Sequence, residues 1–276
     1  RETAWLNKLQ ISWLIAPTTL TLYADSFPAK IPLQLRHHCT DDQRIEFWKN
    51  ELLLLSGDLV KVFYPYDEFW RNRHNDHFYP KHFYHWFGES VDTAVRSIRN
   101  VAPDNKKVKS KIRPTVSDLH SFFGFKLMDS ARHYSYPSIR KELHVPSTNR
   151  AYEDKSALAK QFFELIDSKI SANWVGGVMV RTDEHVTSSS NFILVIGDSF
   201  ANNASPVIAH YYGNVLQIST NDISPTELQI ALKLTLENYK INQLFIISRD
   251  FTLGTPGDAI EKVVDAFETN GGQLLQ

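Results

Sequence analysis

The stretch "NFILVIGDSFANNASP", Asn191 to Pro206, decides how this chain is read. Its apolar run ends abruptly in Gly197-Asp198-Ser199-Phe200, and a helical pattern follows. Residues apolar on successive positions are expected of a strand covered on both faces. A small hydroxyl at the end of such a strand has two readings. Ser199 caps the next helix, as serine commonly does. Alternatively it is a nucleophile at a strand-to-helix elbow, where unpaired helix N–H groups face a developing oxyanion. Gly197 is expected to permit the tight turn.

Four more segments read as short apolar strands: "ISWLIAPT" (Ile11–Thr18), "LVKVFYPY" (Leu59–Tyr66), "NVLQIST" (Asn214–Thr220) and "QLFIIS" (Gln243–Ser248). Helical patterns separate them. "DDQRIEFWKNELLLLSG" (41–57) opens on acidic residues and closes at Gly57, a C-cap signal. "ESVDTAVRSIRNV" (89–101) has apolar residues at helical spacing, and "SPTELQIALKLTLENYK" (224–240) opens on Ser-Pro-Thr-Glu, an N-cap and first turn. "PGDAIEKVVDAFETNGG" (256–272) follows the same pattern. Strands alternating with helices predict an α/β fold with a mainly parallel, five-stranded sheet. The interval at about 101–190 is expected to be an irregular insertion in a single domain spanning 1–276. It opens with the basic run "DNKKVKSKIRP", and "EDKSALAKQFFELIDSKI" (153–170) is expected to lead back as a helix.

Composition narrows the function. A chain of 276 residues buries a proper core. Its formal net charge of -1 argues against a nucleic-acid partner recruited by long-range charge. Cys39 is the single cysteine, so an intramolecular disulfide and a cysteine-rich metal site are both excluded. No apolar run is long enough to cross a bilayer. The chain opens on Arg1-Glu2-Thr3 without a signal peptide, and a leader or anchor is expected upstream of it.

A serine nucleophile needs a base within hydrogen-bond reach. Among 11 histidines, the segment "FYPKHFYHWFGESVDTAV" (Phe78–Val95) stands out, with His85-Trp86 just before a helix and shortly after the second strand. Taken alone, His82 and His85 there read more naturally as packing residues of an aromatic cluster. "RTDEHV" (Arg181–Val186) holds Asp183 near His185 and is second choice for the base. Asn202, Asn203 and Asn221 are candidate oxyanion donors, although asparagine at a helix start usually only caps it. For Asn221 the competing reading is a turn with Asp222 or Ser224 capping the next helix. Tyr66 and Trp70 are candidate stacking faces for a sugar, and Arg249 a candidate contact for an anionic glycan. The adjacent His37 and His38 cannot both face one ion, and there is no glycine-rich nucleotide loop. Neither a metal nor a cofactor is expected.

The Gly-Asp-Ser block with His-Trp upstream resembles the SGNH-hydrolase-like family of alginate O-acetyltransferases and related polysaccharide O-acetylation proteins. In that family a strand with a "PdK...Y" pattern, a helix, a second strand and a "YYKTDxHW" helix opening precede the serine. Here the order is "LIAPTTLTLYADSFP", "LVKVFYPY", "FYPKHFYHWFGES", "VSDLHSFFGF" and "VIGDSFANN", spanning roughly Trp13 to Arg249. The order is permuted relative to ordinary SGNH esterases, since His85 precedes Ser199. The resemblance implies a three-layer α/β/α fold with Ser199 as nucleophile, His85 as general base and Trp86 and Asp198 in support. It implies acetyl transfer to, or hydrolysis from, an extracytoplasmic polysaccharide in the periplasm, with a membrane-bound O-acyltransferase as acyl donor. The chain departs from the pattern where the family's aspartate, two residues before the histidine, is Phe83. A backbone carbonyl, or Asp76, Glu89 or Asp92, would then have to orient the imidazole, or the protein is a weakened or inactive carbohydrate-binding relative. A plain cytoplasmic esterase is the third reading.

Overall fold

The computed structural model describes residues 9–23, 50, 60–75, 77–80, 83, 85–99, 108–116, 128–136, 139–143, 157–167, 178–182, 191–220 and 223–250. In chain order its elements are β1 (Gln10–Ala16), α1 (Thr19–Leu22), β2 (Val60–Phe63), α2 (Tyr66–Asn72), α3 (Glu89–Arg99), β3 (Lys109–Val116), β4 (Met128–Ser135) and β5 (Ile139–Leu143). They continue with α4 (Ala157–Asp167), β6 (Val178–Thr182), β7 (Asn191–Gly197), α5 (Ser199–Tyr212), β8 (Val215–Ser219), α6 (Pro225–Asn238) and β9 (Lys240–Arg249). The chain divides into two compact units, one of Arg1–Ser12, Ser138–Ser248 and Pro256–Gln276, the other of Trp13–Pro137 and Arg249–Thr255.

The first unit contains the quoted stretch. Within it the strands lie in the order β9-β7-β8-β6-β5. β7 is parallel to β8 and to β9, with Leu194 opposite Leu216 on one side and Leu244 on the other. A strand between two others, with helices packed on it, has no polar face, and Phe192–Gly197 and Val215–Ser219 are buried throughout. β6 runs antiparallel to β8, and β5 antiparallel to β6, so two further strands extend the row beyond the expected ones. The α/β class and the mainly parallel sheet are as expected. Packing is dense and aromatic: Tyr239 meets Phe162 and Phe192 edge-on, with ring centres 5.7 and 5.6 Å away. Each fully buried aromatic side chain of this kind is worth about 2–3 kcal/mol of transfer free energy.

The expected cap of α6 is present in full. Ser224 Oγ accepts from the Glu227 N–H at 3.3 Å, and a Glu227 carboxylate oxygen accepts from the Ser224 N–H at 3.0 Å. Helices expected over 41–57 and 256–272 fall, apart from Asn50, outside the described residues.

In the second unit β2 lies beside β1, and β3 pairs with β4 as an antiparallel ribbon from Lys109↔Ser135 to Val116↔Met128. Of the interval 101–190, expected to be irregular apart from the helix over 153–170, the described residues form that helix as α4 and, against expectation, the strands β3, β4, β5 and β6. The second half of the basic run makes up β3, where Lys109, Lys111 and Arg113 are exposed on alternate positions. Charged side chains on a solvent-facing strand disfavour pairing with other chains. The core of this unit includes Phe69, met edge-on by Phe78 and Tyr79 with centres 5.1 and 6.0 Å away.

Candidate active site

Ser199 is the first residue of α5, directly after the central strand. Asp198, not Ser199, is the N-cap: its backbone is extended, and Oδ1 accepts from the Phe200 N–H at 2.8 Å. The Asp198 carbonyl takes the Ala201 N–H at 3.0 Å, and Thr220 N–H donates to the Gly197 carbonyl at 2.9 Å. The bland reading of Ser199 as the cap is therefore replaced, because the residue before it satisfies the orphan donor. Ser199 is half-buried at a helix N-terminus, where the backbone dipoles favour negative charge.

At Gly197 space, rather than a left-handed backbone, demands a glycine. Glycine's left-handed conformations are found at Gly88 and Gly213 but not here. A Cβ at position 197 would lie 2.4 Å from the Ile247 carbonyl oxygen and 2.9 Å from Ala201 Cβ. The glycine lets α5 and β9 close on the end of β7.

Asn202 and Asn203 follow Ser199 by three and four residues and so share its helix face. Asn202 is fixed from below. Gln217, wholly buried in β8, donates from Nε2 to Asn202 Oδ1 at 2.6 Å and accepts from Ser205 Oγ at 2.6 Å. With its oxygen held by Gln217, the Asn202 amide presents its Nδ2 donor end elsewhere. Pro206 lies inside the helix and has no N–H for the Asn202 carbonyl, one turn back.

His85, Trp86, Tyr66, Trp70 and Arg249 belong to the second unit. His85 is half-buried, while Trp86 is completely buried beside it in sequence. The segment after His85 is tightly fixed. Ser90 Oγ accepts from the Phe87 N–H at 3.1 Å and donates to the Phe87 carbonyl at 3.0 Å. Gly88 has φ +55, and a Cβ there would lie 1.9 Å from the Arg132 carbonyl oxygen, so both conformation and space demand glycine.

Two of the three carboxylates offered in place of an aspartate at position 83, Glu89 and Asp92, have other partners. Glu89 pairs with Arg132, Oε2 to Nε at 2.9 Å, an ion pair that lacks hydrogen-bond alignment. Asp92 accepts from Arg96 Nε at 2.7 Å and from the Tyr136 hydroxyl at 3.0 Å. Phe83 is itself buried, its ring 5.7 Å from that of Phe87. Tyr66 is buried and stacks on Trp70 with centres 5.7 Å apart, while the Arg73 guanidinium carbon lies 3.3 Å from the Trp70 ring centre. Trp70 is thus engaged from one turn before and one turn after it. Asp76, His82, Asp183, His185 and Asn221 lie outside the described residues.

One residue of this unit carries no signal in a single sequence. Asp250, just after β9, is buried, and its N–H donates to the Ala16 carbonyl at 2.9 Å. Oδ1 accepts from the Thr18 N–H at 3.1 Å and Oδ2 from the Tyr64 hydroxyl at 2.9 Å. Burial pushes the carboxyl from 3.8 up to about 6, against the opposing effect of hydroxyl donors from Thr21, Thr18 and Tyr64. Burial, reinforced by the Asp250 charge, also holds the Tyr64 hydroxyl well above its ordinary range.

Elsewhere, a groove lined by Lys160, Gln161, Glu164 and Asn238 lies between α4 and α6. Asn238 precedes the start of β9, so the groove is at the opposite strand ends from Ser199. No group of His, Cys, Asp and Glu suited to a metal occurs among the described residues, and no helix among them is long and apolar enough to cross a membrane.

No family model matches the sequence, and no curated protein does. The fold has solved counterparts. It is similar to a DHHW family protein from Eubacterium siraeum, with TM-score 0.59, 12% identity, and 92% of this chain and 82% of that one covered. It is similar to Bacillus cereus PatB1 carrying a sulfonyl adduct, with TM-score 0.55, 11% identity and 90% and 83% covered. The O-acetyltransferase domain of Pseudomonas putida AlgJ gives TM-score 0.51, 12% identity and 98% and 86% covered. At these identities the likeness is one of fold.

Proposed function

We propose that this chain is a serine-dependent carbohydrate O-acetyltransferase or acetylesterase acting on an extracytoplasmic polysaccharide. The observation that carries the reading is the placement of Ser199. It is the first helical residue beyond a central parallel strand, with the capping task taken by Asp198. Sites of open α/β sheets form outside such strand ends, and the likeness of fold to an O-acetyltransferase domain supports the same class of chemistry.

In this reading His85 removes the Ser199 proton as Oγ attacks the acyl carbonyl, and returns it to the departing group. The same imidazole then deprotonates a sugar hydroxyl or water, which attacks the acyl carbon; the acyl–Oγ bond breaks and the imidazolium returns its proton to Ser199 Oγ. N–H groups at the start of α5, with Asn202 and Asn203 on the same helix face, would stabilise the oxyanion. Trp86 supports the imidazole, and Tyr66, Trp70, Arg249 and Asn221 stay in reserve as glycan or oxyanion contacts. The acyl group would come from a membrane-bound O-acyltransferase.

A second reading, a non-catalytic carbohydrate-binding protein, is favoured by Phe83 and by the engagement of Glu89 and Asp92 elsewhere. The deciding experiment is acetate release from an activated acetyl ester, with labelling by a sulfonyl fluoride. Ser199→Ala and His85→Ala should each abolish turnover while the far-ultraviolet spectrum stays unchanged. Turnover unaffected in Ser199→Ala would end the catalytic reading. Glycan binding without covalent labelling would establish the second.

A further inference from the structure

The segment leading to His85 is held from α1, by backbone carbonyls. Thr19 Oγ1 donates to the Phe83 carbonyl, two residues before His85. The Tyr23 hydroxyl lies 2.7 Å from the carbonyls of both Arg73 and Tyr79, earlier in the same segment. Thr19 and Tyr23 are both buried, and so is Phe83. A donor fixed on a buried carbonyl is a strong constraint, because losing it exposes that carbonyl to the full penalty of an unmade bond.

The donor is itself fixed. Thr18, which precedes α1, is held by its N–H on Asp250 Oδ1 at 3.1 Å, and its hydroxyl lies 3.2 Å from that of Thr21. The Thr18 carbonyl accepts the N–H groups of Thr21 and Leu22 at 3.1 and 3.0 Å. Tyr64 holds the other oxygen of Asp250. A continuous run of buried contacts therefore leads from Asp250 through Thr18 and Thr19 to the main chain at position 83. Between Phe83 and His85 there is one residue, so the two Cα atoms are at most about 7 Å apart.

We propose that Thr19, fixed by Asp250 through Thr18, is a positioning residue that aims the His85 imidazole by holding the Phe83 carbonyl. The inference rests on His85 being the base of the proposed reaction. It assigns to a hydroxyl and a main-chain oxygen the orienting task that the resemblance gives to a carboxylate at position 83. Removing the hydroxyl while keeping the shape, Thr19→Val, frees the carbonyl. Misplacing a reacting group by about 1 Å costs up to about a hundredfold in rate.

The test measures Ser199 labelling by a sulfonyl fluoride in the wild type, Thr19→Val and Thr19→Ser, with melting temperatures recorded for each. Thr19→Val should slow labelling by about tenfold or more. Thr19→Ser, which returns the hydroxyl, should recover most of that rate even where its melting temperature resembles that of the valine variant. Equal rates in Thr19→Val and the wild type, or no recovery in Thr19→Ser, would overturn the inference. The ¹⁵N shifts of the His85 imidazole, followed in the same proteins, separate this claim from the proposed function. A wild type that is never labelled at Ser199 removes the function. The positioning claim is then decided by whether the His85 tautomer ratio changes in Thr19→Val, and it falls if the ratio is unchanged.

Discussion

Gly197→Ala is the sharpest probe of the junction that presents Ser199. The added Cβ would lie 2.4 Å from the Ile247 carbonyl oxygen, 1 Å inside the 3.4 Å at which ordinary contact begins. Ala201 Cβ at 2.9 Å and Ile247 Cβ at 3.1 Å close two further directions. None of these atoms is the end of a flexible side chain. Ile247 is held opposite Gly197 in the parallel ladder, and Ala201 is in the first turn of α5. Relief must come from moving main chain, so the upper part of the overpacking range applies, about 3 kcal/mol. For a chain of this size that lowers the melting temperature by about 6–10 °C. Thermal and urea unfolding measure the loss, and sulfonyl fluoride labelling reports whether the first turn of α5 has shifted. Gly213→Ala is the contrast. Gly213 has φ +119 with nothing within 4 Å of a Cβ, so that variant tests backbone strain in open space and should leave Ser199 labelling near the wild-type rate. A Gly197→Ala protein within about 0.5 kcal/mol of wild type, a change typical of an unconstrained surface site, would refute the close approach.

Asp198→Ala should cost about 1 kcal/mol through loss of the cap, whereas Ser199→Ala should change urea stability by less than about 0.5 kcal/mol. The reverse ranking would return Ser199 to the capping role. Gln217→Leu leaves Ser205 and Asn202 without their buried partner and should lower stability by about 1–3 kcal/mol in the same assay. The Asp250 carboxyl is raised on folding, so it takes up protons relative to the unfolded chain between pH 3.8 and about 6. Its contribution to stability therefore declines as pH rises through that window and is level above it, a change of about 3 kcal/mol. Asp250→Asn should lack this decline, and its stability relative to wild type should improve from pH 4 to pH 7 in urea titrations. An unchanged difference between the two proteins would show that the carboxyl is not raised.

The strands were legible because burial on both faces writes an unbroken apolar run, as in Phe192–Ile196 and Val215–Leu216. The cap of α6 was legible because Ser224 and Glu227 are close in sequence. At α5 the local signal was one residue out, since Asp198 and Ser199 are both good caps and only the backbone separates them. The ribbon of β3 and β4 was missed because a solvent-exposed strand rich in lysine and arginine carries no apolar period. β5 and β6, at the end of the row, were missed as well. Gly197 reads as a turn residue, yet the nearest of the atoms that require a glycine there belongs to Ile247, fifty positions away. Asp250 was invisible for the same reason: its partners Thr18 and Tyr64 are 232 and 186 residues distant.

The proline in α5 removes one rung from the ladder of the helix, at the Asn202 carbonyl. Beyond it Val207, Ile208 and Ala209 are buried, so burial rather than an unbroken ladder holds the far half of the helix. The opening turn, which carries the alcohol, is fixed locally by an aspartate in front of it and a glutamine beneath it.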